Sequence, residues 1–230
     1  MTEQLPPPDS ARFPDLSRDP DWVREVPAGT ALTRIFLAGG EHPSQWFDFR
    51  SYGPVDARFD PHPEPVGTHD GESVLYASIE RQVRDAGAAE LPAAADSPFA
   101  VCVLEVFQQL RIIRRSSGAP TVVIFETTRP LRLLDLSESD WVTVAGGNAA
   151  LSSGEHVVAR AWARAIRLRY PELDGVISAS ALVPSARTVA LWEPAKSSLP
   201  QHPLALLRLD RAELTGVIDA IAERYGYLLI

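Results

Sequence analysis

The chain has 230 residues, of which 22 are Lys or Arg and 30 are Asp or Glu, for a net charge of −8. The lack of a basic surplus to neutralise phosphates argues against nucleic acid as the main partner, although a few local arginines suffice for a small anion. One cysteine, Cys102, rules out an intrachain disulfide. Met1–Pro8 has neither a basic n-region nor an apolar h-region, and no apolar run approaches the roughly 18 residues of a membrane span, so the expected compartment is cytoplasmic.

Residues 1–27, rich in Pro, Asp and Arg, read as an extended arm pinned by Phe13 and Trp22, with one domain over 28–230. Ala31–Leu37 is a strand, 38–72 a long ordered loop, and Ser73–Ala77 a second strand. The alanine-rich stretch 81–97 reads as a short helix and turn or a surface insertion. Ser97 followed by Pro98 marks a helix start, with the helix running to about Leu110; a strand is the alternative. Strands follow at Thr121–Thr127 and Leu131–Leu136.

Ser152 and Glu155 have capping-box spacing, and the helix they open should turn Val158, Ala161, Trp162, Ala165 and Leu168 inward, ending at Pro171. Gly175–Ile177 and Thr188–Trp192 are short strands. Asp210 and Glu213 form a second box, for a helix burying Leu214, Val217, Ile218, Ile221 and Tyr225 and closed by Gly226. The apolar end, Tyr225–Ile230, packs on the domain or joins a homo-oligomer, packing being preferred. Short strands without long βαβ units indicate an α+β fold.

No dinucleotide-binding glycine fingerprint, phosphate-binding loop or nucleophile elbow is present. The five histidines have no metal-ligand spacing, and a His62–His69 metal site is disfavoured against an ordinary surface loop. Four polar groups do interrupt apolar stretches: Arg34, Arg58, Glu105 and Ser180. Burying an unpaired charge is costly, so each pairs or faces a pocket. On these residues alone, a structural Arg34 or Arg58 pair with Glu105, and a turn-capping Ser180, is favoured.

The order of motifs shifts that balance. Leu32–Phe36, Ala57–Asp60, Val74–Ala77, Leu104–Phe107, Leu133–Leu136, Ala161–Ala163, Asp174–Val176 with Ser180, and Val189–Trp192 run in one order over about residues 29–193. In that order the chain resembles the RES-domain family, the toxins of Xre/RES toxin–antitoxin pairs. The family often has an aromatic residue two before its serine, where this chain has Ser178, and the Tyr76–Glu105 stretch is long. Ser178 is therefore the alternative to Ser180, and Glu80 or Glu90 the alternatives to Glu105.

The resemblance implies an ADP-ribosyltransferase-like core of split small sheets with flanking helices. It implies NAD as substrate, cleaved between nicotinamide and ribose with phosphate or water as acceptor, no metal, and an Xre-type antitoxin as partner. Glu105 would stabilise the oxocarbenium-like ribose, Arg34 and Arg58 would grip the pyrophosphate or phosphate, Tyr76 would stack on nicotinamide or bond a phosphate, and Ser180 would bond ribose or phosphate. ADP-ribosyl transfer to a protein, or a catalytically inactive RES-like binding module, are the alternatives.

Overall fold

The computed structural model describes residues 4–80 and 97–230, so Glu90 and nearly all of the alanine-rich stretch lie outside the described residues. The strands are β1 Val23–Val26, β2 Ala31–Leu37, β3 Tyr52–Gly53, β4 Gly67–Thr68, β5 Val74–Ile79, β6 Ile112–Ile113, β7 Pro120–Glu126, β8 Leu131–Asp135, β9 Gly175–Ala179, β10 Arg187–Trp192, β11 Ala205–Arg208 and β12 Leu228–Leu229. The α-helices are α1 Pro98–Phe107, α2 Trp141–Val144, α3 Ala150–Ser153, α4 His156–Arg169 and α5 Thr215–Tyr225.

The fold is α+β: a large mixed sheet with flanking helices. Eight strands join in the order β1-β8-β9-β10-β5-β2-β7-β11. Only β8 and β9 run parallel in it. The expectation of separate small sheets is corrected to one sheet in two wings. The three-strand wing is held by seven β2–β7 pairings, Ala31 with Glu126 through Leu37 with Pro120. It meets the five-strand wing through two pairings alone, Leu32 with Ile79 and Thr33 with Ser78. Beyond Thr33 the strands diverge, and α1 fills the gap, with Cys102 Sγ donating to the Thr33 carbonyl at 3.1 Å. The split in the sheet is thus local, and it makes room for a site.

Strands bury what their apolar runs predict, on both faces. Leu32 and Phe36 join one core cluster while Ile35, of opposite parity on β2, joins another beneath α1 and α5. Gly175 starts β9 at φ +154°, and a Cβ there would sit 2.1 Å from the Ala190 carbonyl oxygen, so only glycine lets β9 and β10 close. Gly226, at φ +67°, ends α5 in the left-handed turn expected of a helix-closing glycine.

The segment expected as an arm is woven into the domain. Phe13 packs edge-on to Trp141 at 5.1 Å and stacks on Trp162 at 5.5 Å. Trp162 Nε1 donates to the Pro6 carbonyl, Tyr170 Oη to that of Pro14 and Trp22 Nε1 to Asp140. Residues 23–26 then form the edge strand β1 on β8.

Neither expected capping box forms. Ser152 lies inside α3, Gly154 interrupts the chain, and α4 starts after Glu155 without a side-chain cap. The buried face of α4 is Ala159, Trp162, Ala163 and Ile166, and Leu168 is exposed, because Phe13 and Trp141 dock on the Trp162 side. Asp210 instead holds the Arg208 guanidinium, and the chain enters α5 through a 3-10 turn at Ala212–Leu214. Ile218, Ile221 and Ala222 form the fully buried face of α5, with Leu214, Val217 and Tyr225 half-buried at its edge. At the C-terminus, β12 pairs in parallel with β6, which ties the end to the domain.

Among the described residues, no helix is long and apolar enough to cross a membrane.

Candidate active site

A cavity of about 270 Å³ opens where the two wings part. Its floor is Ile35 of β2, Tyr76–Ser78 of β5, and Ser178 and Thr188 of β9 and β10. One wall is α1, which presents Val101, Glu105 and Gln108 along one line and Cys102 and Val106 along the next, the i, i+3, i+4 spacing of a single helix face. The opposite wall is the 56–59 turn with His156 at the start of α4.

Glu105 projects from the last turn of α1 and is half-buried. Its Oε1 accepts the Ser180 hydroxyl at 2.6 Å. The same Ser180 oxygen accepts the amides of Leu182 and Val183, each at 3.2 Å, which fixes the turn after β9. Ser180 therefore caps a turn and holds the carboxylate at once. Ser178 lies on the cavity floor, sharing a 3.2 Å hydrogen bond with Thr188 Oγ1, and makes no bond to Glu105.

Arg58 lines the cavity, and its Nη1 donates to the Gly154 carbonyl at 2.6 Å. This bond fastens the 56–59 turn to the start of α4. Burial lowers the Arg58 pKa, and the charges of Glu105 and Asp56 oppose that shift. No direct ion pair joins Arg58 to Glu105, so the expected structural pair is absent; the guanidinium keeps donors to spare for a ligand.

Tyr76 enters from β5 with its phenol oxygen buried beside the Phe59 backbone, which it meets without good hydrogen-bond geometry. Burial, with the nearby Asp60 charge, pushes its pKa up and keeps the proton in place. A buried hydroxyl so weakly paired has capacity left for a further hydrogen bond.

Arg34 does not join them. On β2 it shares parity with Leu32 and Phe36, while Ile35 faces the cavity. Its Nη1 donates to the carbonyls of Trp46 at 2.8 Å and Asp48 at 2.9 Å. Burial lowers its pKa to about 10, partly offset by Asp48. The expected pyrophosphate grip is corrected: Arg34 anchors the 38–72 loop from the other face of the strand. Glu80, the described alternative to Glu105, is exposed past the end of β5 and is not among the cavity residues.

The 38–72 loop is ordered by a buried charge cluster as well as by β3 and β4. Asp60, with no exposed side chain, accepts from Arg50 Nη2 at 3.0 Å, from the Val55 amide at 2.8 Å and from His62 Nδ1. Burial alone would raise the Asp60 pKa; the His62 ring, the Val55 amide and Arg50 outweigh it and bring it to about 2. The His62 and His69 rings lie 5.7 Å apart, but His69 Nε2 is on the Gly53 and Pro65 carbonyls. Among the described residues, no group of three His, Cys, Asp or Glu side chains is arranged to hold a metal.

Sequence reasoning passed over the far wall of the cavity. Asp56 precedes the Ala57–Asp60 motif and had no role, and His156 was one of five histidines without ligand spacing; only the fold brings them together, Nδ1 to Oδ1 at 2.7 Å. Thr188 and Gln108 carried no signal beyond their strand and helix.

No protein-family model matches the chain, and no curated protein does. Solved structures that are similar to this chain include one toxin–antitoxin complex. It is the crystal structure of the M. tuberculosis MbcT–MbcA toxin–antitoxin complex, matched with a TM-score of 0.49 at 12% identity over 93% of this chain and 96% of that one.

Proposed function

We propose that this chain cleaves NAD between nicotinamide and ribose, as the toxin of a toxin–antitoxin pair. Breaking that bond leaves positive charge growing on the ribose, and a carboxylate fixed beside it stabilises the charge. Glu105 takes that role, with the Ser180 hydroxyl fixing its Oε1 while Oε2, 3.4 Å from Gln108 Nε2 on the same wall, stays on the cavity side. Arg58 meets a phosphate or the pyrophosphate with its spare donors. Tyr76 offers its weakly paired hydroxyl to the nicotinamide-ribose half. At about 270 Å³ the cavity suits that half of the dinucleotide, with the adenosine half lying outside its mouth.

The observation that carries the reading is the convergence of residues 58, 76, 105 and 178–180, four separated segments of the resemblance, around one cavity. The antitoxin rests on the resemblance alone; such a partner would inhibit by covering the cavity mouth. Incubating the purified chain with NAD tests the reading. Free nicotinamide should appear, and Glu105→Gln should abolish it without lowering the melting temperature by more than a few degrees. Wild-type chain that leaves NAD intact, or a Glu105→Gln variant that keeps the wild-type rate, refutes it.

A further inference from the structure

The cavity wall opposite Glu105 carries an Asp–His pair that the NAD-cleaving reading leaves without a task. His156 is the first residue of α4 and lines the cavity beside Arg58. The Arg58 bond to the Gly154 carbonyl sets the 56–59 turn against this helix start, and Asp56 Oδ1 then meets His156 Nδ1 at 2.7 Å. A carboxylate only accepts, so in the neutral ring the proton sits on Nδ1 and the lone pair on Nε2. Among the described residues, no hydrogen bond occupies Nε2. The charged groups around the ring are Asp56; Arg160, whose Nη1 is 3.7 Å from the same Asp56 oxygen; Arg58 on the same wall; and Glu105 across the cavity. The His156 side chain is 29% exposed and that of Asp56 69%, so a proton taken here has a short path to solvent.

We infer that Asp56 and His156 form the general-base pair that activates water as the acceptor, so that hydrolysis is this chain's own reaction; the inference rests on the NAD-cleaving reading. The C1′–N bond breaks, and its electron pair leaves with nicotinamide, which departs neutral because the pyridinium held the charge. The water oxygen bonds to C1′ and one of its protons passes to His156 Nε2, then to solvent. NAD and water become nicotinamide, ADP-ribose and one proton. Inorganic phosphate, already anionic at neutral pH, needs no such base. His156 therefore selects between acceptors, and its loss should change which product forms as well as the rate.

The test uses the full chain as wild type, His156→Ala and Asp56→Asn, with NAD, in phosphate-free buffer and with added inorganic phosphate. Nicotinamide release and the identity of the sugar product are followed. In phosphate-free buffer, His156→Ala should lose about 100-fold in rate. Its release with phosphate should persist, so the product shifts toward the phosphorylated sugar. Asp56→Asn, a surface substitution, should also slow hydrolysis, because the amide donates to Nδ1 and moves the ring proton to Nε2. Nitrogen-15 NMR of His156 should show that tautomer change. Equal product ratios in wild type and His156→Ala, equal loss with both acceptors, or a wild type that consumes NAD only with phosphate, each overturns the inference while the NAD-cleaving reading stands. A wild type that consumes no NAD under either condition removes both.

Discussion

Two serines stand two residues apart at the end of β9, and the structure separates their duties sharply enough to test. Ser180 is 3% exposed and its hydroxyl makes three bonds, one donated to the Glu105 carboxylate and two accepted from the Leu182 and Val183 amides. Ser180→Ala removes a charge-assisted bond and strands the buried Val183 amide, a loss of about 2–4 kcal/mol. For a chain of this length, that lowers the melting temperature by roughly 4–16 °C. Glu105 also loses the contact that orients it, so nicotinamide release should drop by about 10–100-fold. Ser178 shares one neutral bond with Thr188 and none with Glu105. Ser178→Ala should cost about 0.5–1.5 kcal/mol and change the rate little. Thermal unfolding and initial nicotinamide release on the two variants side by side decide the matter. If Ser178→Ala is as damaging as Ser180→Ala in both assays, the assignment of Ser180 as the holder of Glu105 is wrong.

Further outcomes follow from other parts of the molecule. Arg34→Met, which frees the Trp46 and Asp48 carbonyls, should cost about 2–4 kcal/mol and speed amide exchange over residues 45–50; unchanged exchange there would remove its anchoring role. Asp60 and Glu138 both fold with pKa values brought to about 2, Glu138 because its bonds to Arg24 and Arg187 outweigh its burial. The unfolded chain then binds more protons than the folded one, so stability present above pH ~4.5 is lost as pH falls toward ~2. Chemical denaturation across that window should show the decline, and Asp60→Asn should flatten it; a variant with an unchanged slope contradicts the attribution. Gly175→Ala, with its Cβ driven onto the Ala190 carbonyl, should destabilise by about 3 kcal/mol or more, and a midpoint equal to wild type would show that β9 adjusts freely.

Much of the fold was legible because local signals coincide with the elements. Proline and glycine bracket the apolar runs that became β2 and β7, Pro130 opens β8, and Ser97 and Pro98 mark the start of α1, where the Ser97 hydroxyl accepts the Ala100 amide at 3.2 Å. What escaped were matters of facing. Arg34 and Ile35 sit side by side in a strand covered on both faces, so alternation alone does not say which one turns to the cavity. The inward face of α4 depends on Phe13 and Trp141, more than a hundred and some twenty residues away from Trp162 respectively, and no periodicity within the helix encodes them. Both capping boxes failed because spacing says nothing of rivals: Gly154 breaks the first and Arg208 takes Asp210 from the second. Of the site, Glu105, Arg58 and Ser180 were visible as polar groups in apolar surroundings, as was Arg34, and Tyr76 through the resemblance alone. The Asp56–His156 contact spans 100 residues and was not.

The stitching of residues 4–26 into the helical layer has a consequence for biosynthesis. The bonds from Trp162 to Pro6 and from Tyr170 to Pro14 each span 156 residues, and that from Trp22 to Asp140 spans 118. At about 5–20 residues per second, this leading stretch leaves the ribosome roughly 6–30 s before the surfaces that receive it. It must wait, with Phe13 and Trp22 uncovered, for a tryptophan pair that has yet to be translated. During synthesis the stretch 4–26 is therefore the part most open to chaperones and proteases, and the domain closes only once residues 140–170 reach it.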